Sequence, residues 1–171
     1  MVASANVRKF QKHLGFATDY LESTHHTFHR CLKALPLETA PPTIVTGRKN
    51  INSTLLVVFS GNKGLCGPFN SNLANQTIKT IKKYQTQNYS PHILLLGSKI
   101  LSSIEKDYKP LILESYEDIN KLSYTFFEQI THKILQGFYH KKFDQCSILF
   151  TRFHSIMKYD VEEMLIIPFC A

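Results

Sequence analysis

Apolar residues recur along the first 35 positions of the chain in steps that alternate between four and three. They are Ala3, Val7, Phe10, Leu14, Ala17, Leu21, Phe28, Cys31 and Leu35, with Thr24 interrupting the series. A repeat of 3.5 residues keeps one narrow stripe of an α-helix facing a partner helix. The pattern therefore predicts a long coiled-coil helix over residues 1–35.

The stripe has a second interpretation, in which it packs on the core of its own chain. However, about 34 helical residues span roughly 50 Å at 1.5 Å per residue, which exceeds the diameter of a domain of this size. Part of the helix should therefore project. The charged residues Arg8, Lys9, Lys12 and Asp19 lie away from the stripe. This is expected for a helix whose opposite face is exposed to solvent.

Pro36, Pro41 and Pro42 end the helical pattern, because proline has no backbone N–H to donate within a helix. The residues after them are mostly polar. We therefore predict a connector over residues 36–53 and a folded body over residues 54–171.

The body opens with a continuous aliphatic run at residues 55–59, which is typical of a strand buried on both faces of a parallel sheet. Segments with helical and strand-like periods then alternate. They predict helices over 69–84, 98–108 and 119–138, and strands over 93–96 and 111–113. This alternation indicates parallel βαβ units.

The last two apolar segments, 146–153 and 164–167, are joined by a short polar piece without a helical pattern. We predict that they pair as an antiparallel ribbon. Glu162 and Glu163 are adjacent, so in a strand their carboxylates point to opposite faces and cannot share a proton. The predicted fold class is α/β, with a mostly parallel sheet of about five strands after the long helix.

The net charge of +7 suits an acidic partner, and charge alone does not distinguish among nucleic acid, a membrane surface and a protein.

The four cysteines have no CxxC spacing, which argues against a zinc site or a disulfide framework; they are Cys31, Cys66, Cys146 and Cys170. The apolar runs are far shorter than the roughly 20 residues that span a bilayer. The N-terminus has a helical pattern and no signal-peptide pattern, so we expect a cytoplasm or an equivalent compartment.

A glycine-rich loop follows the first predicted strand, at the strand end where α/β folds usually bind ligands. It lacks the Lys-Ser/Thr ending of a P-loop, and Gly61, Gly64 and Gly67 do not have the spacing of a dinucleotide fingerprint. Pro68 also removes an amide that could face an anion. A stand-alone α/β enzyme that binds a nucleotide through this loop is the main alternative function.

Two further groups have both a chemical and a structural interpretation. Cys66 precedes a helix and could be a nucleophile, but a small buried thiol is the commoner role. His25 and His29 are four residues apart, with His26 between them, and this spacing can hold a metal ion. Exposed histidines on a long polar helix are more often simply solvated.

A basic stripe of Lys79, Lys82 and Lys83 raises a third function, the binding of nucleic acid phosphates. The same stripe is equally compatible with a solvated helix face near a helix C-terminus. Because the chain lacks interleaved basic and aromatic motifs, the solvated face is the preferred interpretation.

Residues 60–67 read Ser-Gly-Asn-Lys-Gly-Leu-Cys-Gly, and residues 69–72 read Phe-Asn-Ser-Asn. Together they resemble the signature Ser-x-Asp-Arg-Gly-Leu-Cys-Gly-Gly-Phe-Asn-x-Asn of the ATP synthase gamma subunit family. Residues 1–5, Met-Val-Ala-Ser-Ala, resemble a stretch of that family's first shaft helix. Phe-Asp at 143–144 and Phe-Thr-Arg-Phe-His-Ser at 150–155 are similar to its Phe-Asp and its Tyr-Asn-x-Phe-x-Ser strand. The chain departs from the family pattern at Asn62, Lys63 and Pro68, and at Asn6, where the family commonly has a lysine.

The resemblance implies a Rossmann-like body and a coiled-coil shaft that turns inside a ring of three alpha and three beta subunits. Proton-driven rotation of this shaft would be coupled to ATP synthesis at the beta subunits, so the chain should need no catalytic residues and no cofactor. The implied partners are the alpha, beta and epsilon (delta-type) subunits and the membrane c-ring, without nucleic acid. The implied location is peripheral, at the cytoplasmic face of a bacterial inner membrane or the matrix side of a mitochondrial one.

The resemblance also implies two groups of functional residues. The shaft interface is expected at Ala3, Val7, Arg8, Lys9, Phe10, Leu14, Ala17 and Leu21, with Arg8 and Lys9 near acidic loops of the beta subunits. The signature loop is expected at Lys63, Gly64, Leu65, Cys66, Gly67, Phe69, Asn70 and Asn72. The match begins within the family's first helix and stops before its long C-terminal helix. A truncated, non-rotating form of the subunit is therefore an alternative interpretation.

Overall fold

The architecture is that of a computed structural model of the chain. It describes residues 2–34, 36, 42–62, 64, 67–117, 123–155 and 158–169, and within the first helix the side chains from residue 11 onward. The chain divides into two compact units, Met1–Pro41 and Pro42–Ala171, which we call the helical unit and the body. No helix in this described part is long and apolar enough to cross a membrane.

The helical unit contains helix α1, Val2–Lys33. Its last turn carries the basic residues Arg30 and Lys33, and cations there interact favourably with the helix dipole. The backbone N–H of Ala34 still donates to the carbonyl oxygens of Arg30 and Cys31, at 3.1 and 3.2 Å. The regular helix thus ends before Pro36, which could not have continued it.

The body is built on a five-stranded sheet with the strand order β3-β2-β1-β4-β5. Its strands are β1 Ser53–Phe59, β2 Ser90–Leu96, β3 Ile112–Tyr116, β4 Gln145–Ser155 and β5 Lys158–Ile167. Strand β1 is parallel to β2 and β4, β2 is parallel to β3, and β5 is antiparallel to β4. The predicted mostly parallel sheet and its final antiparallel ribbon are therefore confirmed.

Helices connect the parallel strands, as the alternating pattern predicts. They are α3 Phe69–Thr86, α4 Leu101–Tyr108 and α5 Tyr124–Tyr139. The N-terminal part of the predicted helix 119–138 falls on residues 118–122, which lie outside the described residues. Helix α5 begins after Ser123, whose hydroxyl accepts a hydrogen bond from the N–H of Phe126 at 3.2 Å and so caps the helix.

The core explains why β1 is a continuous aliphatic run. Leu56 points to one face of the sheet and shares a fully buried cluster with Leu73 and Ile81 of α3. Leu55 points to the other face, where it lines a groove together with Ile130 of α5. A fully buried aliphatic side chain contributes about 1.5–3 kcal/mol, so the central strand is held from both sides.

The predicted connector over residues 36–53 is wrong in its second half. Helix α2, Thr43–Thr46, lies there with Ile44 and Val45 buried, and the N–H of Phe169 donates to the Ile44 carbonyl at 3.0 Å. The residues from Pro42 onward therefore belong to the body. One helical turn is too short to show a period of 3.6 residues, so its two buried positions give no signal in the sequence.

The β4–β5 ribbon extends well beyond the segments 146–153 and 164–167 predicted for it. Its pairing runs from Cys146 opposite Ile167 to Ser155 opposite Lys158. The polar piece predicted between the two strands is therefore mainly the outer half of β5. Residues 158 and 160 are exposed there and residues 159 and 161–163 are only partly buried, so this half of the strand carries little hydrophobic signal.

Candidate functional site

Among the described residues of helix α1, most of the apolar stripe is exposed to solvent, and Phe28 is partly buried. Leu14 and Leu21 are each 53% exposed, and Ala17 is exposed between them. The side chains of Ala3, Val7, Arg8, Lys9 and Phe10 lie outside the described residues. Burial of a leucine is worth about 1.5–3 kcal/mol, so two large apolar residues in register on one face favour a partner that covers them.

The charged side chains of α1 are confined to one side of the helix. With Leu14 and Leu21 at heptad position a and Ala17 at position d, every formally charged residue among the described α1 side chains falls at b, c or f. These residues are Lys12, Asp19, Glu22, Arg30 and Lys33. The other four positions cover about 200° of the helix. We call this surface of residues 11–34 the uncharged face, and it is wide enough to meet more than one neighbour.

The threonines on the uncharged face already have partners for their hydroxyl groups within the helix. Each donates to the carbonyl oxygen four residues before it. These bonds join Thr18 to Leu14 at 2.9 Å, Thr24 to Tyr20 at 2.8 Å and Thr27 to Ser23 at 3.0 Å. A buried hydroxyl without a hydrogen-bond partner costs about 1–3 kcal/mol. These internal bonds therefore lower the free-energy cost of burying the threonines under a partner.

The family signature loop lies at the end of β1 and is tied to the loop that follows β2. The N–H of Ser60 donates to the Leu96 carbonyl at 2.6 Å, and the N–H of Lys99 donates to the Gly61 carbonyl at 3.1 Å. A side chain at Gly61 would meet Asn70 Oδ1, since an ideal Cβ would lie 2.9 Å from it. The start of the loop is therefore closely packed at Gly61, whereas a Cβ added at Gly64 or Gly67 would meet no atom within 4 Å. Lys63, Leu65 and Cys66 of the loop lie outside the described residues.

The described end of the signature loop anchors helix α3. Phe69 is partly buried, and its ring centroid lies 6.0 Å from that of Tyr159 on β5. Asn70 is also partly buried, whereas Asn72 is exposed and its N–H donates to the Pro68 carbonyl at 2.8 Å. Phe69 thus joins the start of α3 to the ribbon. This packing gives Phe69 and Asn70 a structural explanation.

Gly67 has the backbone conformation that disfavours any other residue, with φ +56°, while an added Cβ would meet no atom within 4 Å. We expect Gly67→Ala to cost about 1–2 kcal/mol of stability through backbone strain alone. Gly64→Ala is the matched control, because Gly64 has equal space and no positive φ. Urea unfolding of both variants would measure this, and equal effects would contradict the strain argument.

The basic stripe of α3 is partly used within the body. Lys83 Nζ lies 3.0 Å from Glu163 Oε2 of β5, and the Tyr84 hydroxyl also donates to Glu163. Burial raises the pKa of the Tyr84 phenol, and the hydrogen bond to Glu163 raises it further. Glu162 instead pairs with Arg152 at 2.6 Å. The two adjacent glutamates thus have separate partners and no shared proton, as the sequence predicts.

A second tertiary cluster surrounds Asp144 of the Phe-Asp motif. Its carboxylate accepts from the backbone N–H groups of Asn52 and Ser53, at 2.9 and 3.1 Å, and pairs with Arg48 at 3.1 Å. The Arg48 guanidinium also lies 4.5 Å from the Phe138 ring centroid. Partial burial alone would raise the pKa of Asp144, but the backbone N–H groups and Arg48 outweigh it and hold that pKa below its ordinary value.

The two described cysteines differ in their exposure. Cys146 is buried, and burial raises the pKa of its thiol, which disfavours the nucleophilic thiolate. Cys31 is exposed on α1, while Cys66 and Cys170 lie outside the described residues. Within the described ranges, no group of three or more His, Cys, Asp or Glu side chains is arranged to hold a metal ion.

An open groove of about 580 Å³ lies between the sheet and α5, with a mainly apolar lining. Leu55, Leu94 and Ile130 line it, together with His92 and His132. None of its lining residues belongs to the glycine-rich loop 61–67. This groove therefore gives no geometric support to a nucleotide site at that loop.

A sequence profile of the family described as ATP synthase matches residues 1–171. The chain is 26% identical over 170 residues to the ATP synthase gamma chain of Sinorhizobium fredii and 25% identical over 170 residues to that of Pelagibacter ubique. Each alignment covers 98% of this chain and 58% of the relative. The chain thus spans less than two thirds of the length of these curated relatives.

Two solved structures have a similar fold. A chain of the Tetrahymena thermophila mitochondrial ATP synthase central stalk and c-ring aligns with a TM-score of 0.56 and 24% identity, over 71% of this chain and 52% of that one. A chain of the Euglena gracilis mitochondrial ATP synthase rotor aligns with a TM-score of 0.52 and 12% identity, over 94% of this chain and 58% of that one.

The profile match establishes the family, because it covers helix α1, the glycine-rich loop and the β4–β5 ribbon together. The relatives do not favour a stand-alone nucleotide-binding enzyme. The chain belongs to the ATP synthase family, and the relatives that it matches there are gamma chains.

Proposed function

We propose that the chain is a central-stalk, gamma-type subunit of a proton-translocating ATP synthase, where it couples rotation to ATP synthesis at the beta subunits. In this proposal α1 contributes to a coiled-coil shaft, and the residues from 42 onward form a Rossmann-like body. The chain performs no bond chemistry itself. The family match and the gamma-chain relatives support this function.

The observation that carries the proposal is the uncharged face of α1. Its exposed Leu14 and Leu21 repeat at the spacing of a coiled coil, and all the described charges lie on the other side. A helix whose long apolar face is open to water gains stability when a second helix covers that face. The width of the face, about 200°, suits a shaft that contacts a partner helix and a surrounding ring of subunits.

The proposed partners are the alpha and beta subunits around α1, an epsilon-type (delta-type) subunit on the body, and the membrane c-ring. A net charge of +7 favours contact with acidic loops, and we assign Arg8 and Lys9 to such a contact with the beta subunits. The subunit would be peripheral, held at a bacterial inner membrane or at the matrix side of a mitochondrial one through the complex.

We assign the signature loop a role in shaping the body. Gly67 has a positive φ, and Phe69 packs against Tyr159 of β5 at the start of α3. Such a loop positions helix α3 relative to the ribbon. The proposal therefore treats Lys63, Gly64, Leu65, Cys66, Gly67, Phe69, Asn70 and Asn72 as structural determinants of the surface presented to partners.

Co-purification of the tagged chain with alpha, beta and epsilon subunits tests the proposal. We expect the unmodified chain to be retained and the double variant Leu14→Ser with Leu21→Ser to lose at least about 90% of this retention, because covering the exposed half of the two leucines is worth roughly 1.5–3 kcal/mol. Phe16→Ser is the matched control. Phe16 is 63% exposed but lies at heptad position c, outside the uncharged face, so this variant should bind normally.

Equal loss in the Phe16 variant and the double leucine variant would contradict the assignment of the face. The competing nucleotide-enzyme function has a separate test. A ligand at 100 times its dissociation constant stabilises a protein by about 2.7 kcal/mol. A rise in melting temperature with ATP or NAD, lost in Gly61→Ala, would favour that function over the shaft.

A further inference from the structure

We propose that His25 and His29 form a surface site on α1 for a late first-row divalent metal ion such as Ni²⁺, Cu²⁺ or Zn²⁺. Imidazole nitrogen is a preferred ligand of all three ions. Two histidines four residues apart lie on one side of a helix, which is the spacing used by paired histidine ligands. The site would have two protein ligands, with water completing the coordination.

The two rings already lie side by side. Their centroids are 6.4 Å apart with an interplanar angle of 67°, and both side chains are exposed. A metal ion requires each ligating nitrogen at about 2.0–2.1 Å. Both side chains are exposed, so the rings can turn about their side-chain torsions to meet this distance, although the His29 ring also has an edge contact with the Phe28 ring at 6.1 Å between centroids. The helix backbone supplies the fixed separation.

Both rings are also available as ligands. Elsewhere in the chain, His140 Nδ1 lies 2.8 Å from the Gln136 carbonyl, and His154 Nε2 lies 3.3 Å from Asp160. Among the described residues, no hydrogen bond or ion pair engages His25 or His29. An imidazole without a competing partner loses nothing on binding a metal except its hydration.

Glu22 provides a carboxylate one helical turn before His25, at the same heptad position as His29. A carboxylate near a histidine ligand can orient its ring and favour a bound cation without itself coordinating the ion. His13 has no histidine three or four residues from it, so it is not part of a second pair. The geometry points to one site, centred on His25 and His29.

Isothermal titration of the full chain with NiCl₂ at pH 7.5 tests the site. We expect one Ni²⁺ per chain. His25→Gln and His29→Gln should each weaken binding about tenfold or more, and Glu22→Gln about two- to threefold. The matched controls His13→Gln, His26→Gln and Cys31→Ser should stay within about twofold of the unmodified chain.

Three outcomes would overturn the proposal. Loss of binding in His26→Gln with retention in His25→Gln would move the site to His26 and His29. Undiminished binding in the double variant of His25 and His29 would place the ion elsewhere, such as the groove lined by His92, His132 and His140. Absence of binding at millimolar Ni²⁺ would remove the site altogether. His25 lies at heptad position e, within the uncharged face, so the titration uses the chain without partner subunits. None of these results therefore depends on the proposed rotor function.

Discussion

Replacing Phe138 by alanine should lower the free energy of unfolding by about 3–5 kcal/mol. The side chain is 1% exposed near the end of α5, so its removal leaves a cavity in the core. The Arg48 guanidinium lies 4.5 Å from the ring centroid and loses this aromatic surface as well. Denaturant unfolding would measure the change, and thermal unfolding should show a fall of roughly 6–20 °C.

The neighbouring Tyr139 provides the control for this experiment. It is 60% exposed, so Tyr139→Ala should change stability by no more than about 0.5 kcal/mol. Phe138→Leu keeps much of the buried volume and should cost clearly less than the alanine variant. An alanine variant as stable as the leucine variant would show that Phe138 does not fill the core in solution.

Replacing Asp144 by alanine should be the second most costly change, at about 2–3 kcal/mol. The variant removes the acceptor of two backbone N–H groups, those of Asn52 and Ser53. It also leaves Arg48 without its carboxylate partner. The Arg48 side chain is less than one fifth exposed, so water cannot fully replace that partner. Urea unfolding at pH 7 would give the value. Asp160→Ala is the control, since the Asp160 side chain is 58% exposed and pairs with His154, which is itself exposed.

The Asp144 cluster also has a defined pH dependence. Its pKa is lowered in the folded chain, so the stabilisation is present above the ordinary aspartate pKa of about 3.9. It is lost as the pH falls through the lower, folded-state pKa. The stability difference between the unmodified chain and Asp144→Ala should therefore be constant from pH 5 to 7 and shrink below about pH 4. A difference that grows on acidification would contradict the assigned direction.

The pattern of apolar residues predicts most helices and strands of the body, because each of these elements buries one or both of its faces along most of its length. Residues 55–59 are apolar on both sides because β1 is the central strand of the sheet, between β2 and β4. The helix from Phe69 shows a clear helical period because α3 buries one side against this sheet. The ribbon was predicted from two apolar segments, and it is confirmed as an antiparallel pair.

The sequence pattern fails where the stabilising contacts are polar or short. Helix α2 has one turn and two buried residues, too few for a periodic signal. Arg48 lies in the predicted connector, yet it pairs with Asp144, 96 positions away. Glu163 is likewise 80 positions from Lys83 and 79 from Tyr84. Single polar residues carry no information about a distant partner, since ion pairs and hydrogen bonds leave no repeat in the sequence.

The candidate site shows the same division. The heptad spacing by itself determined that α1 has an apolar stripe, and the signature residues determined the resemblance to gamma subunits. Only the folded helix decided that the hydroxyls of Thr18, Thr24 and Thr27 are satisfied internally, and that the His25 and His29 rings lie together. A helical or strand period can be read directly from the order of the residues. Hydrogen-bond partners, burial and ring contacts depend on three-dimensional distances, which the order of residues alone does not specify.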